Sequence, residues 1–131
     1  MYHPQDGSIG MRGEEWAQTY LKRKGYQILA TNYTNPLGRR LGEIDIVAQD
    51  SDTIVFIEVK TRIADPRSPE ILIPEENITR AKLHKLTKIA EFYLRDSKQF
   101  DTPHRFDALA LVYSPRDKKV SVKHIENMFY S

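Results

Sequence analysis

The sequence predicts an α/β domain in which a mixed central sheet is flanked by helices, in the order αβββαββ. Three observations predict it. Two stretches, near residues 8–24 and 79–95, repeat apolar side chains at helical spacing, and five shorter runs read as strands. One of those runs, Ile54-Val55-Phe56-Ile57, is apolar at every position, which suits a strand covered on both faces. At 131 residues the chain has the length of one domain with a real core.

The elements follow in order. Residues 1–7 read as a loose tail ahead of a single domain over 8–131. The first helix runs from Ser8 to about Lys24, with Trp16, Ala17, Tyr20 and Leu21 on one face and Gly25 as its stop. Gly10 and Gly13 weaken its first turns. Tyr26 to Tyr33 is the first strand. Asn35-Pro36-Leu37-Gly38 then turns the chain, with Arg39 and Arg40 following. Leu41 to Gln49 is the second strand, Asp50-Ser51-Asp52 a turn, and Thr53 to Thr61 the third strand. Ile63 to Ile78 carries Pro66, Pro69 and Pro74 and no period, the pattern of a functional or mobile segment. Thr79 to Arg95 is the second helix, with Thr79 as N-cap and Leu83, Leu86, Ala90, Tyr93 and Leu94 inward. Arg105 to Tyr113 is the fourth strand, Ser114 to Asp117 a turn, and Val120 to Ile125 the fifth strand.

Composition narrows the function classes. Hydrophobic residues at 40% and charged residues at 29% match a soluble globular protein rather than a disordered one. The absence of cysteine excludes disulfides and thiolate metal sites and points to a reducing cytoplasm. There is no basic-then-apolar signal pattern at the N-terminus, and no apolar run approaches the ~18 residues of a membrane span. Net charge is only +2, but Arg80, Lys82, Lys85, Lys88 and Arg95 oppose a single acid, Glu91, on the second helix. That face suits either a polyanion or plain solvation. His3, His84, His104 and His124 show no ligand spacing and read as surface or satisfied histidines, not a zinc site.

The chemistry lies on the hairpin of the second and third strands. Alternation places Leu41, Glu43, Asp45 and Val47 on one face of the former, and Phe56, Glu58 and Lys60 on one face of the latter. A two-residue loop at Ser51-Asp52 sets Asp50 opposite Thr53, Asp45 opposite Glu58, and Glu43 opposite Lys60. Opposed Cβ atoms are ~4.5–5.5 Å apart. Two carboxylates that close repel unless a cation joins them, and Mg²⁺ or Mn²⁺ with oxygen ligands is the natural occupant. Lys60 reaches the same space and can stabilise charge on a phosphate or position water. With ~100° per helical residue, Glu14 borders the apolar arc beside Leu21, whereas Glu15 points away. Glu14 is therefore the helical acid suited to join the site, the alternative being a surface ion pair.

These residues resemble the YraN-like family, a restriction-endonuclease-like group of the PD-(D/E)xK superfamily similar to Holliday-junction resolvases. The resemblance rests on Gly13-Glu14, Ala17, Tyr20-Leu21, Lys24-Gly25-Tyr26, Gly42-Glu43-Ile44-Asp45-Ile46-Val47 and Phe56-Ile57-Glu58-Val59-Lys60-Thr61-Arg62. It continues through Lys82, Lys85, Arg105-Phe106-Asp107 and Ile125 to Phe129. It implies a restriction-endonuclease-like fold in which Asp45 and Glu58 bind the metal, Lys60 assists and Glu14 adds a metal ligand. The Val59 carbonyl would complete the shell. Ile44 stands where the broader signature has proline.

Further positions carry two readings each. Thr61 and Arg62 can contact a phosphate or simply end a strand. Lys82 and Lys85 can bind phosphate or be solvated, and Arg39 and Arg40 can enter a groove or stay on a wet turn. Asp107 is either a buttress acting through a basic residue or an ordinary salt bridge. The expected function is a Mg²⁺-dependent endonuclease hydrolysing DNA, with branched, resolvase-like substrates favouring a symmetric homodimer. The alternatives are a non-catalytic nucleic-acid-binding module on the same scaffold and a protein-interaction domain.

Overall fold

In a computed structural model, which describes residues 9–35, 42–64 and 80–128, the elements follow the predicted order. Helix α1 (Ile9–Arg23) leads to strands β1 (Gln27–Tyr33), β2 (Ile44–Asp50) and β3 (Thr53–Ile63). Helix α2 (Arg80–Asp96) then precedes β4 (His104–Ser114) and β5 (Lys119–Ile125). The five strands form one sheet in the spatial order β1-β2-β3-β4-β5. Neighbours are antiparallel except β3 and β4, which are parallel because α2 lies between them in the chain. Arg39, Arg40, Leu41, the Thr79 cap and all but the first two residues of the irregular 63–78 segment lie outside the described residues.

The two helices cover opposite faces of the sheet. Trp16, Ala17 and Leu21 of α1 pack with Ile46, Ala48, Val55, Ile57, Leu109 and Leu111. Leu86, Ile89, Ala90 and Leu94 of α2 pack with Ile44, Val47, Ile54, Phe56 and Ala108. The apolar run of β3 is thus divided between two cores, and all four residues are buried. Each such burial stabilises the fold by roughly 1.5–3 kcal/mol. This fixes β3 firmly, and Glu58, Val59 and Lys60 directly follow its buried run. Gly25 closes α1 with φ +95°, while Tyr26 N–H donates to Leu21 C=O at 2.9 Å.

The hairpin register follows the turn, since Asp50 pairs with Thr53 and the ladder continues to Ile46 opposite Ile57. Alternation in β2 does not persist as predicted. Ile44 packs with the α2 core and Ile46 with the α1 core, although residues two apart should share a face. The break is centred on Asp45. Its Oδ2 accepts the Val59 N–H at 2.8 Å, a donor that an undistorted antiparallel partner would otherwise compete for. β2 therefore parts from β3 at Asp45, while β3 continues beside β4 to Ile63 opposite Tyr113.

A second polar cluster holds the α1 side together. Asp107 is fully buried, accepting from Arg105 Nε at 3.1 Å, His124 Nε2 at 2.7 Å and the Asn127 N–H at 3.0 Å. Burial raises its carboxyl, but these three donors outweigh burial and hold it below the ordinary aspartate range. Arg105 also donates to Tyr26 Oη at 2.7 Å and pairs with Asp50 at 3.3 Å. The network ties β2, β4, β5 and Tyr26, just before β1, together. Of the two readings of Asp107, the structure shows the ion pair, and His124 is a satisfied core histidine.

Candidate metal centre

The parting of β2 from β3 opens the end of the sheet where the acidic residues gather. Glu14 from α1, Glu43 from the segment entering β2, and Asp45 each offer an oxygen within 4.8 Å of the others. All three are half-buried. Glu14 reaches this point because α1 approaches β3 closely at Gly13. A Cβ there would collide with Thr61 Oγ1 and lie 3.1 Å from Thr61 Cβ. Thr61 accordingly serves as the floor on which α1 rests. Gly13→Ala should destabilise the protein by about 1–2 kcal/mol, because overpacking outweighs the gain in helix propensity. It should also weaken cation binding by moving Glu14. Thermal unfolding and a Mn²⁺ titration check this, and an Ala variant at least as stable as wild type would contradict the contact.

Glu58 sits on the α2 face, following Ile54 and Phe56 in the strand period. Its Oε1 is paired with Lys82 Nζ and lies 3.5 Å from Lys60 Nζ. Its Oε2 is buried with no hydrogen-bond partner among the described residues. Glu43, Asp45 and Glu58 share a cavity of about 10 Å³, room for one water-sized body, walled by Phe56, Leu86, Phe106 and Met128. Two overlapping carboxylate sets thus meet at Asp45, with Glu14 on one side and Glu58 on the other.

The electrostatics record this crowding. Burial pushes the Asp45 carboxyl up to about 6. That value already includes the Val59 N–H, which pulls it down, and the charges of Glu58, Glu14 and Glu43, which add to the rise. Burial lowers Lys82, but its bond to Glu58 and the attraction of that carboxylate dominate and hold the ammonium above its usual value. The site therefore crowds four carboxyl groups beside the Lys82 ammonium.

A hard divalent cation fits these residues. All donors are oxygens, and two oxygens on one Mg²⁺ lie at most ~4.2 Å apart, close to the separations found here. The buried Glu58 Oε2, partnerless among the described residues, and the raised Asp45 carboxyl both suit a cation at this point.

Of the residues expected at the site, the structure gathers Glu14 and Asp45 with Glu43, and Glu58 with Lys60 and Lys82. Val59 enters through its N–H. Arg62 is exposed at the end of β3. Lys85 is exposed on α2 and lines, with Lys82 and Glu43, a groove leading to the acids. Sequence reasoning gave Glu43 no ligand role, although alternation put it on the Asp45 face. The signal available was its position two residues before Asp45. Lys82 as a partner of Glu58 had no local signal, since only the seating of α2 brings them together.

Comparison with known proteins adds kinship. A family model described as uncharacterised protein family UPF0102 matches residues 13–111. The chain is 40% identical over 121 residues to a UPF0102 protein of Syntrophomonas wolfei, covering 92% of this chain and 96% of that one. It is 41% identical over 122 residues to a UPF0102 protein of Thermodesulfovibrio yellowstonii, covering 93% and 96%. It is 39% identical over 122 residues to one from Geobacter metallireducens, covering 93% and 92%. The matched region contains every acid and lysine of the site. Among the described residues, no helix is long and apolar enough to cross a membrane.

Proposed function

This chain belongs to the UPF0102 family, and from that premise and the site's geometry we propose that it is a divalent-metal-dependent nuclease acting on DNA in the cytoplasm. The observation that carries the proposal is the meeting of Glu14, Glu43 and Asp45 within 4.8 Å, beside a glutamate flanked by two lysines. Fold and acidic cluster together are consistent with a nuclease-like scaffold, and the chemistry is inferred from the site.

Glu14, Glu43, Asp45 and Glu58 would hold Mg²⁺ or Mn²⁺. The bound cation supplies Lewis acidity, withdrawing electrons from a phosphate oxygen and making water more acidic. Hydrolysis joins a water oxygen to phosphorus and breaks one P–O ester bond, and negative charge grows on the phosphate oxygens. Lys60 and Lys82, both beside Glu58, would offer their ammonium groups to that charge. The Val59 N–H orients Asp45, and the apolar wall of Phe56, Leu86 and Phe106 limits water at the inner side. Lys85 extends the positive surface along the groove for the phosphate backbone. Branched DNA is the finer substrate reading, and a symmetric homodimer would match its two-fold form.

The test is cleavage of linear, flapped and four-way DNA with Mg²⁺ or Mn²⁺. Wild type should cut, and EDTA should stop it. Asp45→Ala, Glu58→Ala and Lys60→Ala should each lower the rate on the order of 10² or more. Equal cleavage by wild type and variants would sink the proposal. One observation favours a second reading, a binding module that does not cut: both lysines occupy Glu58 Oε1 and compete with a cation for it. That reading requires DNA affinity indifferent to Mg²⁺.

A further inference from the structure

Asn32, the next-to-last residue of β1, has a left-handed backbone with φ +51°. Such a conformation is unfavourable for an L-residue in a strand, and asparagine is among the few side chains that tolerate it. Its place in the register is informative. Thr31 pairs with Ile46 and Tyr33 with Ile44, so Asn32 lies level with Asp45, where the alternation of β2 breaks. The distortions in the two strands are one event, centred on the acid that both carboxylate sets share.

The Asn32 side chain points into that cluster. Its amide lies between Glu14 and Glu43, both of which offer only acceptors, so the amide nitrogen faces them. With the amide assigned that way, its nitrogen lies 3.0 Å from Glu14 Oε1 and 3.2 Å from Glu43 Oε1 and donates to both. One neutral group thus bridges an acid from α1 and an acid from the β2 entry. We propose that Asn32 is a positioning residue of the carboxylate cluster, its left-handed backbone aiming an amide that fixes Glu14 and Glu43 around the cation. This rests on the metal-site reading above and extends it to a residue outside the acidic set.

Two variants separate backbone from amide. Asn32→Gly keeps the left-handed conformation and removes the amide, whereas Asn32→Ala loses both. By calorimetry near neutral pH, Asn32→Gly should bind Mn²⁺ about tenfold more weakly than wild type or worse, the usual effect of losing a group that orients ligands. Its unfolding midpoint in EDTA should stay near the wild-type value, while Asn32→Ala falls in both. A Gly variant that binds Mn²⁺ as tightly as wild type overturns the proposal. A second readout needs no metal: the Asn32 side-chain NH₂ signals in NMR spectra of the metal-free protein should shift in Glu14→Gln and in Glu43→Gln. If wild type takes up no Mn²⁺, the cation reading falls by itself. The NH₂ signals then decide the bridge, with a shift upholding it and no shift overturning it.

Discussion

Asp45→Asn is expected to abolish divalent-cation binding and, at the same time, to make the metal-free protein more stable above about pH 6. The two effects share one cause. Asp45 is a half-buried carboxyl facing Glu58, Glu14 and Glu43, with one N–H donor to offset them. Its folded value of about 6 exceeds the ordinary 3.8, so between these limits the folded protein binds more protons than the unfolded chain. The stabilising contribution of the protonated acid is complete below the ordinary value. It is lost as pH rises through about 6. The full displacement corresponds to about 3 kcal/mol, which screening at the open side of the site reduces to about 2 kcal/mol.

Asparagine keeps the oxygen that accepts the Val59 N–H and removes the charge. In EDTA, chemical unfolding should therefore show the variant ahead of wild type by about 2 kcal/mol near pH 8 and level with it near pH 4. Saturating Mg²⁺ should reverse the order near pH 8, because a ligand of the folded state stabilises only the protein that binds it. An Asn variant that is less stable than wild type at both pH values in EDTA would refute the repulsion. A variant that is stabilised by Mg²⁺ as much as wild type would remove Asp45 from the metal centre.

How much of this site can be read from sequence depends on the range of the contacts. The Asp50–Thr53 register follows from a two-residue turn, and the turn alone sets it. Glu14 is separated from Glu15 by helical phase, and the structure leaves Glu15 exposed while Glu14 joins the acids. Both are local geometry. The swing of Ile44 and Ile46 to opposite cores is not, because it needs a left-handed residue on the neighbouring strand. Nothing in the composition around Asn32 announces a positive φ. Lys82 and Lys85 look alike on the helix, yet one meets Glu58 and the other faces water. Their difference comes from how Leu86, Ile89 and Ala90 seat α2 on the sheet, which is a tertiary fact. Turn length thus reaches the ladder as far as Ile46 opposite Ile57, short of the expected Asp45–Glu58 and Glu43–Lys60 pairs, and helical phase reaches Glu14, while Asn32 and Lys82 acquire their places only once β1 and α2 have packed.

Lys82→Met should move cation binding and DNA cleavage in opposite directions. Lys82 pairs with Glu58 Oε1, and Lys60 stands 3.5 Å from the same oxygen. A cation approaching Glu58 must compete with both ammonium groups. Methionine keeps most of the apolar stem and removes the charge, so Mn²⁺ affinity should rise. Substrate would gain nothing from that change, because on the proposed function the lost ammonium would also face the phosphate. Cleavage at saturating Mn²⁺ should fall on the order of 10², the usual loss when one donor to a developing charge is removed. DNA affinity should become less salt-dependent by about one phosphate contact. Lys85→Met provides the contrast, since Lys85 is exposed in the groove. It should reduce the salt dependence similarly and leave cleavage of bound DNA and cation affinity near wild type. If Lys82→Met weakens cation and DNA binding together, Lys82 is a structural brace for Glu58. If it cuts as wild type does, Lys60 alone supplies the positive charge of the site.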